Sequence, residues 1–188
     1  MLNSASAQTA LAIDPEDQTA RVWNEVTTNT RNIGVAKFRI PRYAIRLVRE
    51  ETMNYFAATK KIESARNISD LLRPIFEATD RELFLCVTLD TKNQPIGINV
   101  VSVGTLNQSL VHPRETLKLA ILQNAAAIIL AHNHPSGDTE PSRDDQVITD
   151  RMMSAAQVLG IRLLDHVILG DGTDAYFSFA DSGRLRAA

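Results

Sequence analysis

The chain has 188 residues, of which 44% are hydrophobic and 22% charged, and its formal net charge is −2. This length suits one compact domain with some additional chain, and the composition is sufficient for a hydrophobic core. The charge balance lacks the strongly basic character of a dedicated nucleic-acid binder, although a local basic surface is compatible with it. The single cysteine, Cys86, excludes an intrachain disulfide and a multi-cysteine zinc site, and it favours a reducing cytoplasm.

The first third of the chain is the least regular. Residues 1–31 are rich in Ser, Ala, Thr, Asn and Gln, which predicts a flexible leader. This stretch has no positively charged start, and no window of the chain has 18 uninterrupted apolar residues. We therefore expect neither a signal peptide nor a membrane span, and a cytoplasmic protein. Residues 32–63 are interpreted as an N-terminal extension of strand and helix, with a strand at 35–40 that Pro41 interrupts.

A regular pattern begins with ARNISDLLRPIFEATD (65–80), which predicts a helix ending near Thr79. Ser69 precedes the apolar repeat and provides a helix-start signal. The spacing of the apolar residues then changes from that of a helix to that of a strand. LFLCVTL (83–89) is a nearly continuous apolar run, as expected of a strand covered on both faces. After a DTKNQP turn, IGINVVSV (96–103) completes a predicted hairpin.

The second half of the chain alternates helices and strands. HPRETLKLAILQNA (112–125) predicts a helix with a proline near its start, and AAAIILA (125–131) a buried central strand. Residues 143–161 carry the apolar stripe of a helix, and 161–172 read as a strand ending in a Gly-rich turn. AYFSFADSGRL adds a short final strand. The order predicts an α/β fold with a mixed sheet flanked by helices.

Between the central strand and the following helix lies AHNHPSGDTEPSRDD (131–145). His132 and His134 would point about 200° apart on a helix, but on a strand end they face the same way. They then offer two metal-binding nitrogens, and Asp145 in the first turn of the next helix offers a carboxylate. Two histidines and a carboxylate are a common catalytic zinc set, with the fourth position left for water.

A simpler interpretation exists for part of this pattern. Ser142 and Asp145 form Ser-x-x-Asp, which is also a capping box at a helix start. A His-x-His pair alone is weak as an indicator of metal binding. The two interpretations are compatible, because a capped helix start is a good way to hold Asp145 in place. The combination of both motifs with this spacing is much more specific than either alone.

With that spacing, HNHPSGDTEPSRDD resembles the JAMM metal motif, also called MPN or JAB. Together with VHPRE, NAAAIILAHNHPSG and LDHVILGDG, it is similar to the bacterial RadC-like branch over residues 64–184. The resemblance implies a JAB/MPN-type α/β fold related to that of cytidine deaminases, and one Zn²⁺ held by His132, His134 and Asp145. The chain departs from full-length RadC proteins because residues 1–60 lack a convincing helix-hairpin-helix motif, which weakens any inherited role on DNA.

The resemblance also implies roles in catalysis. JAMM proteins place a general base between the first core helix and the first strand, which here is Glu82. Glu115 is the rival candidate for the base. Its presence has a simpler explanation, because an acidic side chain is favourable near the positively charged N-terminal end of a helix. Ser142 would donate a hydrogen bond to the oxyanion. Asp165 and His166 are interpreted as a satisfied polar pair at a strand end rather than as a partner for a zinc histidine.

Two classes of function follow. The first is a zinc metallohydrolase that cleaves a peptide or isopeptide amide in a protein substrate. The alternative is a DNA-repair or mobile-element protein that acts on or near nucleic acid, with a structural or nuclease-related metal. A deaminase is disfavoured, because that chemistry uses His-x-Glu and Pro-Cys-x-x-Cys, whereas here a second histidine follows His132. Cys86 is also far from the motif.

Overall fold

The computed structural model describes residue 47 and residues 60–104 and 111–185. The predicted leader and the predicted strand at 35–40 lie outside these residues. The described elements, in chain order, are α1 (Ala65–Glu77), β1 (Leu83–Leu89), β2 (Pro95–Val103), α2 (Pro113–Thr116), α3 (Lys118–Leu122), β3 (Ala127–His134), α4 (Arg143–Val158), β4 (Arg162–Gly170) and β5 (Tyr176–Ser178).

The five strands form one sheet in the order β2-β1-β3-β4-β5. β3 and β4 are parallel and are joined through α4, whereas the other neighbours are antiparallel. A parallel pair needs such a crossover, and an antiparallel pair needs only a turn. The predicted mixed α/β sheet flanked by helices is confirmed. Among the described residues, no helix is long and apolar enough to cross a membrane.

The predicted hairpin is confirmed, and its turn shows why the chain reverses there. The Asp90 carboxylate accepts hydrogen bonds from the backbone N–H groups of Lys92 and Gln94, each at 2.8 Å. Asn93 adopts φ 58°, a left-handed conformation that asparagine tolerates better than most residues. The side chain of Asp90 thus satisfies the backbone N–H groups of the turn, while β1 and β2 pair on either side of it.

The start of α1 differs from the prediction. The helix begins after Ser64, whose hydroxyl accepts a hydrogen bond from the backbone N–H of Asn67, and it ends at Glu77. Ser69 is not the cap: it is buried within the helix and accepts a hydrogen bond from Arg73 at 3.0 Å. The apolar repeat identified the buried face correctly. It did not reveal that Ile68 extends this face by a further turn toward the N-terminus.

The single helix predicted over 112–125 is wrong, because the structure has two short helices that meet at Leu117. The hydroxyl of Thr116 donates to the carbonyl of His112 four residues earlier, an interaction that tends to bend helices. His112 caps α2, since its Nδ1 accepts a hydrogen bond from the backbone N–H of Arg114.

The sheet has two covered sides, which we call the α1 face and the α4 face after the helices that pack on them. The α1 face buries the following hydrophobic residues: Ile68, Leu72, Phe76, Leu85, Val87, Leu89, Ile129, Ala131 and Val167. The α4 face buries another set: Phe84, Cys86, Leu117, Ala120, Ile128, Leu130, Ile148, Met152 and Ala156. Successive residues of β1 and β3 alternate between the faces, as side chains of a strand must. Cys86 is buried on the α4 face.

Candidate metal centre

The two motif histidines lie at the end of β3, which runs three residues beyond the predicted strand. They continue the alternation of Ile128 and Leu130, so both point to the α4 face. Their Nε2 atoms are 3.1 Å apart. His132 is fully buried, whereas the side chain of His134 is 17% exposed. The expectation that a strand end makes the pair converge therefore agrees with the geometry.

Asp145 approaches the histidines from the first turn of α4. Its Oδ1 lies 3.3 Å from His132 Nε2, and its Oδ2 lies 3.7 Å from His134 Nε2. The backbone N–H and the hydroxyl of Ser142 donate to Asp145 Oδ2 at 2.7 and 2.6 Å, and the Asp145 N–H donates back to the serine oxygen at 3.1 Å. The capping box is thus present, and it also orients the carboxylate toward the histidines.

Glu82 reaches the same place from the segment between α1 and β1. One carboxylate oxygen of Glu82 and one ring nitrogen from each of His132 and His134 all lie within 4.8 Å of one another. The rival, Glu115, is exposed on α2 and forms an ion pair with Lys118. The hydrogen bond that Lys118 donates to Glu115 and the positive charge of Lys118 lower the pKa of Glu115. The structure therefore brings Glu82, and not Glu115, to the histidines.

The spacing of these donor atoms fits a zinc ion. Ligands of a tetrahedral zinc lie at about 2.0–2.2 Å from the metal, which places them about 3.2–3.6 Å from each other. The separations among His132, His134 and Asp145 are 3.1, 3.3 and 3.7 Å. Each imidazole nitrogen thus has an oxygen of the Asp145 carboxylate at a separation close to that of two ligands on one zinc, although the two distances involve different oxygens. Glu82 is near enough to act beside them or to ligate in its own right.

The electrostatics of the cluster favour a bound cation. The hydrogen bond to Asp145 outweighs burial and raises the pKa of His134, and the charge of Glu82 adds to this effect. Burial alone would raise the pKa of the Asp145 carboxyl. The hydrogen bonds that Asp145 accepts from His134 and from Ser142 outweigh it and hold that pKa well below its usual range. A site that stabilises a proton on one side chain and a negative charge on the next is suited to a metal ion.

His132 is held neutral. Burial lowers its pKa well below the ordinary value, and the neighbouring His166 lowers it further. A neutral imidazole is the form that binds metals. The ring of His134 is fixed differently: its Nδ1 lies 2.6 Å from the carbonyl oxygen of Asp138. Since a carbonyl only accepts, Nδ1 carries a hydrogen, and Nε2 faces the cluster.

The loop after His134 is held against β4. Its Gly137 adopts φ 79°, which favours glycine, and the Gly137 N–H donates to the carbonyl of His134. A Cβ atom on Gly170, at the end of β4, would lie only 2.3 Å from the carbonyl oxygen of Gly137. Glycine at residue 170 therefore permits the close approach that keeps the loop and His134 in position.

Sequence reasoning missed Asn133, which it treated as a spacer between the histidines. Its side chain points to the α1 face, where Oδ1 accepts from the Leu83 N–H at 2.7 Å and Nδ2 donates to the Arg81 carbonyl at 3.1 Å. Nδ2 also lies 3.1 Å from both carboxylate oxygens of Asp171. Leu83 and Arg81 flank Glu82, so Asn133 ties the segment that carries Glu82 to the strand that carries the histidines.

The predicted pairing of Asp165 with His166 is also revised. The two residues lie within β4 and point to opposite faces. Asp165 accepts hydrogen bonds from the Ser178 hydroxyl at 2.6 Å and the Ala180 N–H at 2.9 Å. His166 instead contacts His132, with Nε2 2.9 Å from His132 Nδ1. Only the register of β4 against β3 reveals this contact, and the sequence carries no direct signal of register between distant strands.

A mixed α/β sheet with a His-x-His pair at the end of a central strand, and an acid at the start of the next helix, defines a domain of the metallohydrolase type. Comparison with protein families makes this more specific. The family model described as "RadC-like JAB domain" matches residues 62–184, and the chain belongs to that family. The resemblance noted on the motif residues is thereby confirmed.

Related proteins agree with this assignment. The chain is 45% identical over 155 residues to a UPF0758 protein of Rubrobacter xylanophilus, covering 82% of this chain and 67% of that protein. It is 48% identical over 142 residues to one of Moorella thermoacetica, covering 76% and 62%. For one of Desulfitobacterium hafniense the identity is 43% over 166 residues, covering 88% and 72%. The chain thus spans about two thirds of the length of these relatives.

Proposed function

We propose that this protein is a zinc-dependent metallohydrolase that cleaves a peptide or isopeptide amide with a water molecule. The observation that carries the proposal is the convergence of two histidine nitrogens and the Asp145 carboxylate at spacings of 3.1–3.7 Å, with Glu82 beside them. A purely structural zinc site is closed by four protein ligands, whereas the proposed set of three leaves the fourth position for a water or a substrate oxygen.

Each side chain has a role in this proposal. His132, His134 and Asp145 hold the metal. When bound, zinc acts as a Lewis acid and lowers the pKa of a coordinated water to about 7. Glu82 accepts the proton of the attacking water and delivers it to the leaving amine, because it lies beside the histidines without being needed to complete the His₂Asp set.

Ser142 is proposed to stabilise the oxyanion, and its geometry adds a condition. Its hydroxyl hydrogen is donated to Asp145 Oδ2 at 2.6 Å. To donate to a substrate oxygen, the hydroxyl must turn its hydrogen away from Asp145 and leave the carboxylate to the backbone N–H of Ser142. Ser142 therefore has two separable roles, orientation of Asp145 and stabilisation of the transition state.

The test begins with metal analysis of the purified protein, which should contain close to one zinc per chain. A panel of peptide, isopeptide and DNA substrates is then incubated with the protein, with and without chelator and after zinc is restored. We expect zinc-dependent cleavage of an amide substrate by the wild-type protein and cleavage about 10²–10⁴-fold slower by Glu82→Gln, which should retain its zinc.

Two results would overturn the proposal. A folded protein that binds no zinc when the metal is supplied would exclude the site. Metal-dependent cleavage confined to DNA would replace the amide hydrolase with the nucleic-acid alternative, since the same ligands would then serve a different substrate.

A further inference from the structure

A chain of buried polar groups runs from His132 away from the candidate metal site. His132 Nδ1 lies 2.9 Å from His166 Nε2, and His166 Nδ1 lies 2.6 Å from the Thr149 hydroxyl. The Thr149 hydroxyl lies 2.6 Å from the backbone carbonyl of Asp145. His132, His166 and Thr149 are completely buried. The chain therefore starts at one candidate ligand and ends on the backbone of another.

The direction of each hydrogen bond follows from the last one. A carbonyl oxygen only accepts, so Thr149 must donate its hydroxyl hydrogen to Asp145. The Thr149 oxygen then accepts the hydrogen of His166 Nδ1. A neutral imidazole has one N–H, so His166 Nε2 is an acceptor and His132 Nδ1 donates to it. The Nε2 atom of His132 is left with its lone pair, and this is the atom that faces His134 and Asp145.

The surroundings restrict His166 to this arrangement. Its ring is stacked on Phe179 at 5.0 Å between centroids with an interplanar angle of 11°, and it meets the edge of Phe84 at 5.5 Å. Two aromatic rings thus fix the plane of the imidazole. Its two nitrogens are held toward His132 and Thr149, and no solvent is available to replace either partner.

We propose that His166 is a positioning residue for the metal site: it fixes the ring and the tautomer of His132 so that the Nε2 lone pair faces the cation. Through Thr149 it also joins His132 to the carbonyl of Asp145, so that two ligands from different elements move together. This inference rests on the metal site proposed above. Outer partners of metal-bound histidines act in this way, and their loss typically lowers metal affinity about 10–100-fold.

Two substitutions separate positioning from packing. His166→Phe keeps a ring between Phe84 and Phe179 but removes the acceptor for His132 Nδ1–H. His166→Gln loses the ring but can present its amide oxygen to the same N–H. Val167→Ala is the matched control, because it removes buried hydrocarbon from the next position of β4 on the α1 face, away from the histidines.

The first measurement is zinc affinity by competition with a chelator, on the full chain. We expect His166→Phe to weaken zinc binding by about 10–100-fold, His166→Gln to recover most of the affinity, and Val167→Ala to bind as the wild type does. The second measurement is long-range ¹H–¹⁵N NMR of the histidine rings. In the wild type it should place the hydrogen of both His132 and His166 on Nδ1, with or without zinc.

The possible outcomes distinguish failure of the positioning role from failure of the proposed function. Wild-type affinity in folded His166→Phe, equal losses in all three variants, or a hydrogen on Nε2 of His132 would each overturn the positioning role and leave the proposed function intact. A wild-type protein that binds no zinc would overturn both.

Discussion

The two faces of the sheet are built by the same alternation of side chains along the same strands, but they bury different chemistry. The α1 face is filled almost entirely with hydrocarbon, as at Leu72, Leu85 and Ile129. The α4 face is hydrocarbon along most of its length and then becomes polar where the end of β3 lies beside β4, because His132 and His166 are fully buried there.

Buried polar groups are tolerated only when each has a partner. His132 Nδ1 and both nitrogens of His166 have hydrogen-bond partners, and His132 Nε2 is turned toward His134 and Asp145. The α1 face contributes mainly hydrophobic burial, whereas the α4 face also carries the histidines of the candidate site. Stability and metal binding should consequently be separable by substitutions on opposite faces.

The largest effect on the site is expected from removal of a ligand. His132→Ala and Asp145→Ala should each abolish zinc binding, because each change leaves only two of the three proposed ligands. Both should also lower the stability gained on adding zinc, since that gain reflects binding to the folded state alone. Thermal unfolding with and without zinc measures both effects. Stoichiometric zinc in His132→Ala would show that the metal is held elsewhere.

Part of this site could be predicted from sequence, namely the contacts between residues that are close together in the chain. His-x-His at the end of an apolar run has one convergent geometry on a strand, and Ser142 and Asp145 have one arrangement in a capping box. These are local relations. His166 and Asn133 act through partners 34 and 50 residues away in sequence, and strand register sets those contacts. The start of α1 was missed because Ser64 and Ser69 both carry the same cap signal.

The next largest effect concerns the proposed base. Glu82→Gln keeps the shape of the side chain but removes the proton acceptor, so activity should fall by about 10²–10⁴-fold while zinc content and melting temperature stay near those of the wild type. Glu115→Gln is the matched control and should leave activity unchanged, because Glu115 is exposed and paired with Lys118. An inactive Glu115→Gln beside a normal Glu82→Gln would reverse the assignment.

Loss of zinc from Glu82→Gln would change the role assigned to Glu82. Since Glu82 lies within ligand distance of both histidines, it would then be a ligand rather than a base. Zinc analysis of this variant therefore has to accompany every activity measurement.

A smaller effect is expected from Ser142→Ala. Turnover should fall by about 10²–10³-fold if the hydroxyl stabilises the oxyanion, and the lost cap should lower the free energy of unfolding by about 1 kcal/mol. Zinc should be retained, because the backbone N–H of Ser142 still donates to Asp145. A lower melting temperature with normal turnover would leave Ser142 with the capping role alone.

The smallest effect on the site is expected from the α1 face. Leu72 is completely buried between α1 and the sheet, and Leu72→Ala should lower the free energy of unfolding by about 2–5 kcal/mol through lost hydrophobic burial and a residual cavity. The folded fraction should still bind zinc with wild-type affinity, because no ligand or ligand partner points to that side. Denaturant unfolding measures the first quantity and chelator competition the second. A Leu72→Ala protein that is folded but binds zinc tenfold more weakly would show that the α1 face also supports the metal site. The route would then be Asn133, which holds the Glu82 segment from that face.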